Sequence, residues 1–186
     1  MSSVAPTNCP PPSVWWVDGG GGFLVRGGSS LTVGRRDCDI NVIAGGPTRW
    51  ATLVRQSDDA WIEPSDAWSG RRTSIGDHQT IRLAAGSPSF EFRRPTPLSQ
   101  TRVISVDRAT RLEDSIDAVL WVGKMFLIGP TPDCHIVVRH AESKIPVMFR
   151  DGKFFARRDG QTCPIDAGQR WEHAAVSLSW RPTENS

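Results

Sequence analysis

The chain has 186 residues, 38% of them hydrophobic and 23% charged, with 22 basic and 20 acidic side chains for a formal net charge of +2. This is the composition expected of a soluble globular protein, long enough for one generous domain or two small ones. The small positive excess is spread over both halves, so no basic stripe points to nucleic acid, and no apolar run approaches the length of a membrane span.

Residues 1–13, MSSVAPTNCPPPS, are rich in Pro, Ser and Thr. They carry neither a basic stretch nor an apolar core, and read as a disordered lead-in rather than a signal peptide. From Val14 onward short β-rich runs alternate with Gly, Asp and Ser turns about every ten residues, the rhythm of a sandwich or barrel. The runs are 14–17, 23–26, 31–33, 40–43, 51–55, 60–63, 80–83 and 89–93. None has sustained helical periodicity. The expected class is all-β.

Residues 29–45, SSLTVGRRDCDINVIAG, hold the most informative turn. A β-branched run stops at Gly34, turns through Arg35, Arg36 and Asp37, and restarts at Ile40. Gly34 lets the backbone turn tightly. Arg35 then presents a planar fork of donors at the rim of a sheet, an arrangement suited to an oxyanion and to phosphate in particular.

Pro95 and Pro97 end this half, because neither can donate within a paired strand. A new β-rich run, 101–106, follows at once, and the pattern then repeats. Gly129, Cys134 and the run 135–138 parallel Gly34, Cys38 and the run 39–42, at offsets of 95 and 96 residues. Internal similarity at this period predicts two copies of one unit.

Gly34-Arg35, Cys38 and Asp39-Ile40, with the opening runs 15–17 and 23–25 and the closing runs 73–83 and 90–92, resemble the forkhead-associated (FHA) domain. The resemblance implies two tandem FHA-like β-sandwiches, 14–97 and a divergent 101–182, and a non-enzymatic role in protein interaction. FHA rims read phosphothreonine, so the partner implied is a protein phosphorylated by a Ser/Thr kinase. Carried onto this chain, Arg35 matches the phosphate-binding arginine, while Thr48 and Arg49 stand where a Ser-Arg pair belongs. The histidine of that loop is absent, with Trp50 or Ala51 in its place. Ser69 replaces an asparagine, and offers one donor where an amide offers two. Arg71 and Arg72 lie close enough in sequence to supplement the charge. In the second copy Pro130 follows Gly129 and carries neither cation nor N–H, so phosphate binding is expected only from the first half.

Other chemistries find no pattern. The glycines at 19–22 lack the spacing of a nucleotide-binding loop. Asp37 and Asp39 supply too few oxygens for a hard cation, and His78, His135, His140 and His173 have no metal spacing. No catalytic residue, metal or cofactor is expected. Cys9, Cys38, Cys134 and Cys163 form no paired motif and read as free thiols in a reducing, cytoplasmic setting. Of eight tryptophans, Trp15, Trp61, Trp121 and Trp180 are expected in the core. Trp50 and Trp68 lie beside the rim loops, and they support an alternative: a scaffold subunit that has lost phosphate recognition and binds through tryptophan-bearing loops.

Overall fold

The computed structural model describes residues 9–66, 70–83, 87–107, 110–113 and 116–183. It is built of β-strands throughout. The first half contributes β1 (Ser13–Val17), β2 (Gly21–Arg26), β3 (Ser30–Gly34), β4 (Ile40–Ile43), β5 (Arg49–Gln56), β6 (Asp59–Pro64), β7 (Thr73–Ser74), β8 (His78–Arg82) and β9 (Ser89–Arg93). The second half contributes β10 (Arg102–Val106), β11 (Arg111–Leu112), β12 (Ala118–Trp121), β13 (Met125–Gly129), β14 (Ile136–Val137) and β15 (Ile145–Arg150). It closes with β16 (Lys153–Arg158), β17 (Gln161–Ile165), β18 (Trp171–His173) and β19 (Val176–Pro182).

These strands form a central sheet in the order β18-β19-β1-β2-β12-β10-β9-β8 and two outer sheets, β11-β4-β3-β5-β6-β7 and β14-β13-β15-β16-β17. Successive side chains of a strand point to opposite faces, and in the central sheet the two faces feed different cores. Val14, Phe90, Ile104, Val119 and Trp121 pack with Leu31, Val33, Ile40, Leu53 and Ile62 from the first outer sheet. Trp15, Val17, Phe23, Val25, Leu120 and Val122 pack with Phe126, Ile128, Val147 and Phe154 from the second. A strand covered on both faces should read as a continuous apolar run, and all four residues of β12, AVLW, are buried. Trp15 anchors its core through edge contacts to Phe126 (5.3 Å) and Phe154 (4.8 Å) and a stack on Trp180 (5.9 Å).

The two outer sheets share a strand pattern. In each outer sheet a strand ending in glycine pairs in parallel with the next strand, and antiparallel with the one after: β3 with β4 and β5, β13 with β14 and β15. The halves expected at 14–97 and 101–182 do not, however, close as separate sheets. Residues 94–101 form a tight return, held by Arg94 donating to the Ser99 and Pro97 carbonyls, so β10 folds back antiparallel on β9. The opening hairpin β1–β2 joins β19 on one side and β12 on the other. Each half thus lends its first hairpin to the last strands of the other.

Arginines fasten this exchange. Arg55 donates to the carbonyls of Gly28, Gln100, Trp121 and Val122 at 2.9–3.2 Å, with its guanidinium 4.8 Å from the Trp121 ring centroid. Burial, and secondarily Arg102, lowers its pKa to about 10, still a cation at neutral pH. Arg93 on β9 donates to Pro132, Cys134 and His135 carbonyls at 2.9–3.1 Å, tying the first half to the second. All four cysteines are free thiols.

Two outcomes follow from this architecture. Fragments 9–97 and 98–183, prepared separately, should each lack a cooperative monomeric unfolding transition, and mixing them should restore one. A cooperative monomer from the first fragment alone would contradict the hairpin exchange. The second concerns His135, 1% exposed, whose Nδ1 accepts the Leu127 N–H at 3.0 Å. Burial lowers its pKa to about 4, the Thr101 backbone opposing and Arg93 adding to the shift. The folded pKa lies below the ordinary value near 6.5, so the unfolded chain takes up the proton first. Stability is complete above about pH 6.5 and falls as the pH drops towards 4, by roughly 2 kcal/mol at pH 5. Urea melts at pH 7.5 and 5.0 should show this loss, and His135→Gln should reduce the pH dependence.

Candidate functional site

The site begins with the close approach at Gly34. A Cβ there would drive into the Thr48 carbonyl and meet the Cys38 sulfur at 2.7 Å. The register of β3 against β5 shifts at Val33/Gly34, a bulge that re-aims the strand entering β5. The Arg35 backbone N–H donates to the Thr48 carbonyl at 2.8 Å, which joins the two rim loops and leaves Arg35 only its side chain for a ligand.

The loop between β3 and β4 is held from behind. The Asp39 carboxylate accepts the Thr32 N–H and hydroxyl, both at 2.8 Å, and the Asp39 N–H donates to the same hydroxyl oxygen at 3.0 Å. Cys38 N–H donates to Asn41 Oδ1 at 3.2 Å, and Arg26 Nε donates to the Asp39 carbonyl at 2.8 Å. Asp37 takes a left-handed φ of 55°, where aspartate is better tolerated than most residues. Every anchor lies on the strand side, so Arg35, Arg36 and Asp37 stand exposed at the tip. Among the described residues neither Arg35 nor Arg36 has an ion pair.

Thr48 and Arg49 are exposed beside this tip. Arg49 faces the Cys38 thiol, whose pKa burial raises while Thr32 and Arg49 oppose the rise. Its carbonyl accepts the Ser65 hydroxyl at 2.8 Å. Arg35, Thr48 and Arg49 are therefore brought to one rim, as expected. Arg71 is exposed, but Arg72 is committed elsewhere: its guanidinium lies 3.6 Å from the Trp61 ring centroid and 3.6 Å from Glu63. Ser69 and Trp68 lie outside the described residues.

Trp50 corrects an expectation. It is fully buried, with its ring centroid 6.3 Å from that of Phe90, because its β5 position points into the core, and it cannot meet a partner. Trp61 differs too, lying half-buried beneath Arg72 rather than in a core. Of the tryptophans adjoining the rim loops, no described one is left to carry the scaffold reading.

The second rim repeats the frame with different electrostatics. A Cβ at Gly129 would lie 3.0 Å from the Cys134 sulfur and 3.1 Å from the Lys144 Cα, as Gly34 faces Cys38 and Arg49. Here Lys144, the counterpart of Arg49, pairs with Asp133, the counterpart of Asp37, and the Thr131 hydroxyl donates to the same carboxylate. Lys144 and then Thr131 hold the Asp133 carboxyl below its ordinary range. One rim is cationic and open; the other is neutralised from within.

The sequence gives no sign of the supporting roles of Arg26, Thr32, Asp39, Asn41 and Arg93. A seven-residue separation between Thr32 and Asp39 matches no strand period, and only the parallel pairing of β3 with β4 joins them. Asp39→Ala should therefore destabilise the fold by about 1–3 kcal/mol, since it strands the Thr32 N–H. Asp37→Asn, at the exposed tip, should stay within about 0.5 kcal/mol. Urea unfolding of both variants checks the contrast.

Compared with protein-family models, with curated proteins and with solved structures, the chain matches none, and its functional reading rests on its residues and their geometry.

Proposed function

We propose that the chain is a non-enzymatic protein-interaction module of two FHA-like repeats, whose first rim binds a phosphothreonine-bearing segment of a partner phosphorylated by a Ser/Thr kinase. The observation that carries this reading is the divergence of two equivalent loops. Lys144 is neutralised by Asp133 in the second rim, whereas Arg35 and Arg36 of the first form no ion pair among the described residues. A phosphate carries close to two negative charges at neutral pH and three strong acceptors. Arg35 supplies the fork, Arg49 a second cation and Thr48 a hydroxyl. The tip is held by bonds behind it, so little ordering opposes binding. Four free thiols favour a cytoplasmic setting.

Because the Arg35 N–H is already bonded to Thr48, the phosphate contact falls on the side chain. Arg35→Ala should weaken binding roughly ten- to a hundredfold, as expected for a charge-assisted hydrogen bond. Arg35→Lys should recover part of that, a point charge being unable to reproduce the fork. Calorimetry of the full chain against phosphothreonine peptides and their unphosphorylated twins tests the reading. Equal binding of both, or indifference to Arg35→Ala, would mean that the turn serves folding alone.

A further inference from the structure

The two outer sheets share a topology but present opposite surfaces to solvent. Cross-strand partners lie on the same face of a sheet, so the register identifies the outward rows. In the second sheet Met125, Met148, Phe155 and Pro164 lie in one row across β13, β15, β16 and β17, with Leu127 and Pro146 paired alongside. Both methionines beyond Met1 are thus neighbours on one outward face. The first sheet has Ser30, Val54, Trp61 and Ser74 in the matching row.

The charges flanking the rows differ as well. Asp59 and Glu63 border the first. Lys153 and Arg157 border the second on β16, with Arg150 opposite Lys153. In the first sheet the aromatic is capped by the chain itself, through Arg72 at 3.6 Å and Trp61 Nε1–H donating to Glu63 at 2.9 Å. In the second, Phe155 has only Arg150 at 5.7 Å, itself paired with Asp151, and Lys153 and Arg157 have no ion pair among the described residues.

We propose that this outward face of the second sheet docks an acidic amphipathic helix of a partner protein, at a site separate from the first rim and not dependent on phosphate. Four strands spaced about 4.8 Å apart make a row of roughly 14 Å. A helix rising 1.5 Å per residue covers that length in about two and a half turns, placing residues i, i+3 or i+4, and i+7 over successive strands. Unbranched methionines adapt to apolar anchors of different shape, as at other helix-binding surfaces. Cations on both sides of the apolar row select a helix whose apolar stripe is bordered by Asp and Glu. A membrane is the poorer fit, because Met125, Met148 and Phe155 are half-buried between their neighbours and do not project for insertion.

The test uses the full chain and a fluorescein-labelled helical peptide with leucines at i, i+3, i+4 and i+7 flanked by glutamates, read by fluorescence anisotropy. The glutamate peptide should bind, and its lysine-flanked twin should bind at least tenfold more weakly. Met148→Gln and Arg157→Glu should each weaken binding about tenfold, while Met148→Leu should preserve it. Equal affinity for the two peptides, or indifference to both weakening variants, would overturn the proposal. So would tighter association with phosphatidylserine vesicles than with the peptide, or self-association that Met148→Gln abolishes.

Discussion

The fold depends on a central sheet that is apolar on both faces. A strand such as AVLW at β12 cannot lie at a surface, and SVWWV at β1 leaves only Trp16 exposed. Both require hydrogen-bonding neighbours on each side and a covering layer above and below. Pairing β1 with β19 and β9 with β10 meets that requirement, at the cost of independence between the halves. The parallel pairing of β2 with β12 joins the two groups of four strands. The two hydrophobic cores consequently share one sheet, and neither repeat owns all the strands that enclose its core.

Exchange of hairpins brings carbonyl ends from distant parts of the chain together, and arginine satisfies them. Arg55 collects four carbonyls from three segments and Arg93 collects three from one loop. A planar guanidinium offers several donors in fixed directions and is less strongly hydrated than an ammonium. An abundance of arginine therefore has a structural use here apart from anion recognition. Among the described residues the side chains of Arg35 and Arg36 have no such duty: both stand exposed on a loop held by backbone groups and other side chains.

The two outer sheets share one strand pattern, in which a strand ending in glycine pairs in parallel with the next strand and antiparallel with the one after, so their rims can be compared residue by residue. Beneath each rim a glycine faces a cysteine: nothing larger than hydrogen fits at Gly34, where a Cβ would enter the Thr48 carbonyl, and a Cβ at Gly129 would be tight, 3.0 Å from the Cys134 sulfur. Above that frame the charges differ. Asp133 and Lys144 close one rim, while the outer sheet of the same half carries the row of Met125, Met148 and Phe155 flanked by Lys153 and Arg157. The two proposed surfaces thus fall on different halves of the chain, the first rim proposed for a compact dianion and the second outer sheet for an extended amphipathic partner.

The sequence by itself determined the local elements. Short β-branched and aromatic runs between Gly and Asp turns identified the all-β class, and the 95-residue offset of Gly34 and Gly129 anticipated that both would end a strand paired in parallel with the next. Arg35, Thr48 and Arg49 were legible as one rim because loop positions follow from strand order. Tertiary structure alone decided which strands pair, since β1 is compatible with any apolar neighbour, and the short return at 94–101 directs β10 onto β9. It also decided the fate of Trp50, whose place beside a loop gave no sign that the bulge at Gly34 turns β5 so that its ring enters the core. Burial and long-range pairing depend on contacts between residues far apart in the chain, and neither is encoded in any local spacing.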